Sequence, residues 1–141
     1  MKAHTRHVAI ATLIALILLL IATVSARAED YSSYSGARLY SRFCAACHGD
    51  KGRGDGIVAA SFKFEVPDLT RIAKRRGGEF PEADVRRIID GTKNVPPHGS
   101  RAMPVWGFEF YAQAGNNPDP AIATSQMIER LTQYLKSIQT Q

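Results

Sequence analysis

A chain of 141 residues with 18 Lys and Arg against 13 Asp and Glu carries a formal charge of +5 and has room for one small domain. Much of that excess lies at the start: without Lys2, Arg6 and Arg27, 15 basic residues face 13 acidic ones, a charge of +2. So slight a balance excludes a nucleic-acid-binding role on electrostatic grounds.

Residues 1–28 read as a targeting segment. Lys2 and Arg6 make a basic opening, Val8 to Val24 is almost wholly apolar, and Ala26-Arg27-Ala28 offers an A-x-A cleavage site. The apolar run of 17 residues exceeds the ~7–15 of a signal peptide and falls short of the ~20 of a membrane span. An uncleaved N-terminal anchor is therefore the alternative, and either form exports the remainder of the chain. Removal of the first 28 residues leaves 113, divided into a flexible lead-in over 29–35 and one domain over 36–141.

From Gly36 the pattern becomes helical. Ala37, Tyr40 and Cys44 recur at i, i+3 and i+7 with Leu39 and Phe43 beside them, predicting one helix that ends by Gly49. Gly36 lies four residues before Tyr40, a small side chain beside a large one, where another helix can cross closely. Gly49 to Gly56 holds four glycines in eight residues. It lacks the Gly-Lys-Ser/Thr ending and the preceding strand of a phosphate loop, so it reads as turns.

Ile57 to Glu65 has no clear period. Pro67-Asp68-Leu69-Thr70 opens a short basic helix or turn that Gly77-Gly78 closes. Pro81 to Asp90 is predicted helical, with Glu82 and Asp84 at the positive end of the dipole, an apolar face of Val85, Ile88 and Ile89, and Gly91 as its stop. Lys93 to Gly107 contains three prolines and two glycines and is predicted irregular. Pro118 and Pro120 mark the start of a last helix, Asp119 to Gln139, with Met127, Leu131, Tyr134, Leu135 and Ile138 on one face. No repeat and no convincing strand is visible, so the fold class is all-α.

One pentapeptide carries the chemistry: Cys44-Ala45-Ala46-Cys47-His48. Cysteines three apart on a helical turn place both sulfurs on one side, where each can add to a vinyl group of a haem. The adjacent histidine then lies under the porphyrin plane as an axial ligand of the iron. Two other readings use the same residues. A zinc site would need Cys44, Cys47, His48 and His98, but structural zinc ligands are normally separated by two or more residues rather than adjacent. A thiol redox pair would want a βαβ surround, which the pattern lacks.

For the opposite axial position the candidates are Met103, Met127, His98 and a water or diatomic gas. Met103 stands in Arg101-Ala102-Met103-Pro104-Val105-Trp106-Gly107, on a segment stiffened by Pro96, Pro97 and Pro104. Met127 lies on an apolar helix stripe, where methionine usually fills core. Met103 is the expected ligand and His98 the alternative, because Met/His pairs occur in electron carriers. Trp106 and Tyr134 are read either as packing on the macrocycle or as plain core aromatics.

With these residues in place the chain resembles the class I (mitochondrial-type) cytochrome c family, over most of Gly36 to Ile138. Cys-Ala-Ala-Cys-His is similar to its attachment motif and Met103-Pro104 to its methionine loop. The Gly36/Tyr40 pair and the Leu131, Tyr134, Leu135 face resemble its crossing first and last helices. The resemblance implies a small cytochrome c fold around one covalently bound haem c. Cys44 and Cys47 would form the thioethers, His48 would be the proximal ligand and Met103 the distal one. Lys93 to Ser100 and Phe108 to Gly115 look like insertions.

It also implies a monohaem one-electron carrier rather than an enzyme, serving redox protein partners: a dehydrogenase or quinol-oxidising donor and a terminal oxidase or reductase acceptor. The setting would be the periplasm, or the inner membrane facing it if the leader is retained. Lys63, Arg71, Lys74, Arg75 and Arg76 are candidate steering charges. The alternatives are a peroxidase-like or gas-reactive protein with an open distal site, and a membrane-tethered cytochrome subunit of a respiratory complex.

Overall fold

The computed structural model describes residues 7, 10, 12–16, 29–93, 103–114 and 117–140. Its helices are α1 (Gly36–Phe43), α2 (Ala45–His48), α3 (Glu82–Asp90), α4 (Trp106–Gln113) and α5 (Pro120–Ser137). Short 3₁₀ turns occupy Tyr31–Ser33, Ala59–Ser61, Leu69–Arg71 and Lys74–Arg76. No strand occurs among the described residues, in agreement with the all-α expectation.

Ser35 starts α1 by accepting a hydrogen bond from the Arg38 backbone N–H at 3.3 Å. Leu39 and Tyr40 then point inward and are fully buried. The helix expected to run unbroken through His48 is in fact bent at Cys44, whose φ of −116° departs from helical values. The bend divides the work: α1 packs its apolar side against α5, while α2 turns its thiols toward a cavity. Asp119 caps α5 by accepting from Ile122 N–H at 3.0 Å, with Pro120 in the first turn. Met127, Ile128, Leu131, Thr132 and Leu135 of that helix are buried, so Met127 is core filling.

α1 and α5 cross backbone to backbone. A Cβ on Gly36 would run into the Arg130 carbonyl and come within 2.9 Å of Tyr134 Cβ. Only glycine permits this approach, and it brings the Tyr40 and Tyr134 rings to 5.2 Å between centroids.

Three segments differ from their sequence expectation. Residues 29–35 are docked rather than a free lead-in: Asp30 caps the 3₁₀ turn at Tyr31–Ser33, Tyr34 is buried, and Arg130 donates to the Ser32 carbonyl at 2.6 Å. The stretch from Phe108 onward, for which no helix was predicted, belongs to α4, whose Phe110 is fully buried and which packs against α5. Trp106, Phe110 and Ala114 recur every four residues and carry the signal. The exposed Phe108 and Tyr111 blur it by making the helix apolar nearly all round. Finally, Pro81 lies just before α3 rather than in its first turn.

In the segment expected to be a leader, residues 12–16 are helical, and Leu13, Ile14 and Leu16 are exposed. Most of Val8 to Val24 and the expected cleavage site at Ala26-Arg27-Ala28 lie outside the described residues. Among the described residues no helix is long and apolar enough to cross a membrane.

Replacing Gly36 by valine should destabilise the folded protein by about 1–3 kcal/mol through overpacking at the crossing. Urea or guanidinium unfolding of the protein measures this as a lowered midpoint at unchanged m value.

Candidate cofactor-binding site

A cavity of about 400 Å³ lies beside the α1–α5 crossing, and its lining is mostly apolar. Cys44, Cys47 and His48 form one side. Met103 with Pro104, Val105 and Trp106 forms another, and Val85, Ile88 and Ile89 of α3 close a third. Such a volume lies within the range of sites that bury a small molecule or cofactor, roughly 300–1,000 Å³. The structure therefore brings Met103 to the same cavity as the pentapeptide 55 residues earlier. His98, the alternative to Met103, lies outside the described residues.

The motif turn is held from behind. Gly49 N–H bonds to the Ala45 carbonyl at 2.8 Å, and the loop after it satisfies the remaining carbonyls of α2. Gly54 donates to His48 O at 2.8 Å, Gly56 to Cys47 O at 3.2 Å and Val58 to Ala46 O at 3.1 Å. That is the function of the glycine-rich segment: it wraps the motif turn on the side away from the cavity. Tyr40 Oη donates to the Gly49 carbonyl at 2.6 Å inside the protein, and burial pushes its hydroxyl well above the usual tyrosine range.

His48 Nδ1 lies 3.1 Å from the Pro67 carbonyl. A carbonyl can only accept, so Nδ1 carries the proton and the ring lone pair belongs to Nε2 in the neutral imidazole. Pro67 is itself located by its neighbours. Leu69 N–H bonds to Gly52 O at 2.6 Å, and Gln139 at the end of α5 donates to Leu69 O at 2.8 Å. Sequence reasoning took Pro67 for a helix start and had no means of seeing this contact across 19 residues.

Both cysteines are free thiols. Burial and, next, the neighbouring Cys47 push the Cys44 thiol up to about 12. That direction is opposite to the lowered pKa of a reactive thiol.

The wall that sequence reasoning left unassigned is Phe62, Phe64 and Val66. All three line the cavity, while Lys63 and Glu65 between them are exposed. The period-2 alternation is legible in Phe62-Lys63-Phe64-Glu65-Val66, but the segment pairs with no strand among the described residues. Trp106 lines the cavity and stacks on Phe110 at 5.9 Å, whereas Tyr134 pairs with Tyr40 and is not among the lining residues. Of the two readings left open for these aromatics, Trp106 takes the place at the cavity and Tyr134 that of a core aromatic. Arg75, Arg76, Lys93 and Asp84 bring charge to the lining.

The cytochrome c family model matches residues 33–139. This chain belongs to the cytochrome c family. No curated protein and no solved structure matches it. Membership implies electron transfer, and with the Cys44/Cys47 spacing it implies a covalently bound haem in this cytochrome. The residues present fit that group: two free thiols, an imidazole and a thioether share one apolar cavity with a tryptophan.

Two side chains of this cytochrome give measurable outcomes. Tyr40→Phe removes one of the two hydrogen bonds to the Gly49 carbonyl, leaving the one from Gly52 N–H at 3.0 Å, and should cost about 0.5–1.5 kcal/mol in denaturant unfolding. At Asp84, hydrogen bonds from Lys93 and Arg87 hold the carboxyl down at about 2. Because an unfolded aspartate titrates near ~3.9, the stabilisation is in place above about pH 4 and lost as pH falls through about 2. Asp84→Asn should therefore flatten the pH dependence of the urea midpoint within that window and leave its slope near neutrality unchanged.

Proposed function

We propose that this cytochrome is an exported monohaem electron carrier, taking single electrons from a dehydrogenase or quinol-oxidising donor and delivering them to a terminal oxidase or reductase. One observation carries the reading: His48 and Met103, with both motif thiols, line one apolar cavity. On this reading Cys44 and Cys47 anchor the haem through thioethers, His48 Nε2 is the proximal ligand and the Met103 sulfur the distal one. The haem, when bound, supplies a one-electron couple with no proton or atom transferred.

The chain's own residues then set the properties of that couple. Pro67 fixes the His48 tautomer and ring orientation and raises the basicity of the coordinating nitrogen. A thioether opposite an imidazole favours the reduced state relative to a second imidazole, and the apolar walls of α3 and residues 62–66 act in the same direction by disfavouring added charge. Two protein ligands also leave no axial position for a substrate, which supports electron passage over catalysis.

Export is supported by the layout of residues 1–28 together with a haem attached through cysteine, a reaction of the bacterial periplasm in this family. Retention of the apolar leader would place the same domain on the outer side of the inner membrane. The exposed Arg71, Lys74, Arg75 and Arg76 lie on the turns next to the cavity, and Lys63 is exposed on the segment that forms its 62–66 wall. They suit an acidic partner surface.

Absorption spectra of the purified protein in both oxidation states, before and after Met103→Ala, test the proposal. The wild type should show a methionine-to-ferric-iron band in the near infrared and bind carbon monoxide poorly. Met103→Ala should lose the band, lower the potential and bind carbon monoxide readily. An unchanged spectrum would transfer the distal position to His98, and a wild type that is high-spin would favour a gas-reactive or peroxidase-like protein. Electron exchange with an acidic partner should slow as ionic strength rises above about 0.1 M, where the Debye length falls to ~10 Å.

A further inference from the structure

Met103 reaches the cavity from a point between α3 and α4, and the length of chain separating it from each helix differs greatly. Ten residues separate it from Lys93, a reach of up to about 35 Å, whereas two residues separate it from Val105, a reach of no more than about 7 Å. Whatever locates Val105 therefore locates Met103. The stretch before it, with so long a reach, sets no comparable bound.

Val105 is located by a pair of glycines. At the C-terminal end of α3, Gly91 adopts φ +84°, and a Cβ there would collide with the Val105 side chain, reaching 3.1 Å from its Cβ. At the start of α4, a Cβ on Gly107 would stand 2.7 Å from the Asp90 carbonyl oxygen and 3.0 Å from Asp90 Cα. The two contacts are reciprocal: each glycine receives the residue next to, or two before, the other. Val105 also begins α4, its carbonyl accepting from Phe108 N–H at 3.1 Å and Glu109 N–H at 3.2 Å. Thr92 and Lys93 are tied back onto α3 through Asp90 and Asp84, the latter at 2.5 Å, so the α3 side of the contact is itself braced.

Building on the assignment of Met103 as distal ligand, we infer that the Gly91–Val105 and Asp90–Gly107 contacts form a clasp whose closure sets the position of Met103 in the cavity. Gly91, Val105 and Gly107 are positioning residues for the iron's sixth ligand. The prolines upstream of Met103 do not set that position. Because the contacts at Gly107 are with backbone atoms, a methyl group there cannot be accommodated by a side-chain rotation. It must separate α3 from α4 and carry Val105, and with it Met103, away from the cavity.

The experiment uses the mature holoprotein and the variants Gly107→Ala, Val105→Ala and Pro97→Ala. Gly107→Ala should weaken or abolish the near-infrared methionine band and lower the reduction potential, while intact mass still shows the haem attached and far-ultraviolet circular dichroism is retained. Val105→Ala adds no atoms and only loosens the clasp. It should raise the affinity for added imidazole by about tenfold, since the ligand then competes with a methionine that is bound for a smaller fraction of the time. Pro97→Ala should match the wild type in all three readouts.

Should Gly107→Ala not accumulate as holoprotein, the imidazole affinity of Val105→Ala decides. Wild-type values in both clasp variants would overturn the inference, as would a Pro97→Ala protein that shifts as far as they do. A wild type without the methionine band would instead overturn the ligand assignment, and this inference with it, so the two failures are told apart by the unmutated protein.

Discussion

The close crossing of α1 and α5 at Gly36 is the constraint from which the rest of the arrangement descends. Because the helix backbones touch there, Tyr40 is driven beneath Tyr134 and its hydroxyl arrives at the Gly49 carbonyl, the end of the motif turn. The crossing and the cofactor site thus share a side chain. The buried hydroxyl is satisfied by that carbonyl at 2.6 Å, and the carbonyl accepts a second bond from Gly52 N–H at 3.0 Å. The orientation of Cys44, Cys47 and His48 is consequently tied to the packing of α1 against α5.

Around that junction the domain is built with a cavity where a larger protein would have more core. Phe62, Phe64 and Val66, the inner face of α3, Leu131 of α5 and Trp106 of α4 present apolar surface to one another across an open space. A domain of this size buries a modest share of its surface, and a porphyrin between those walls would remove much of the remainder from water. The family's prosthetic group is on this view a structural component as well as a redox centre. Charge is kept to the margins: the basic turn at Lys74–Arg76 is exposed, and the acid in the lining, Asp84, is engaged by Lys93 and Arg87.

The two axial candidates are positioned by different means. His48 is local to the thiols, but its ring is turned by the backbone carbonyl of Pro67, two residues before Leu69, which bonds to the glycine loop and to Gln139. Met103 has no such neighbour in sequence; it lies two residues before Val105, which meets Gly91 at the end of α3. One side of the cavity is therefore local in its ligand and distant in its support, and the other lies beside the contact of two helices.

Much of this was legible in the sequence, and the reason is distance along the chain. The pentapeptide combines three residue types within five positions, so its chemistry can be read without knowing the fold. α3 and α5 announce themselves by apolar residues at helical spacing with acidic or proline starts, and α1 by Ala37, Tyr40 and Cys44 with Leu39 and Phe43 beside them. α4 escaped because Phe108 and Tyr111 are apolar yet exposed on either side of the buried Phe110, so that apolar character no longer marks the inward face. The wall at residues 62–66 escaped because its alternation belongs to an extended segment with no partner strand among the described residues. What only tertiary structure decided are the contacts between distant residues: Pro67 on His48, Tyr40 on Gly49 under the α5 crossing, and Asp90 on Gly107. Each needs two pieces of chain to be brought within a few ångströms by packing elsewhere, and no local pattern encodes that approach.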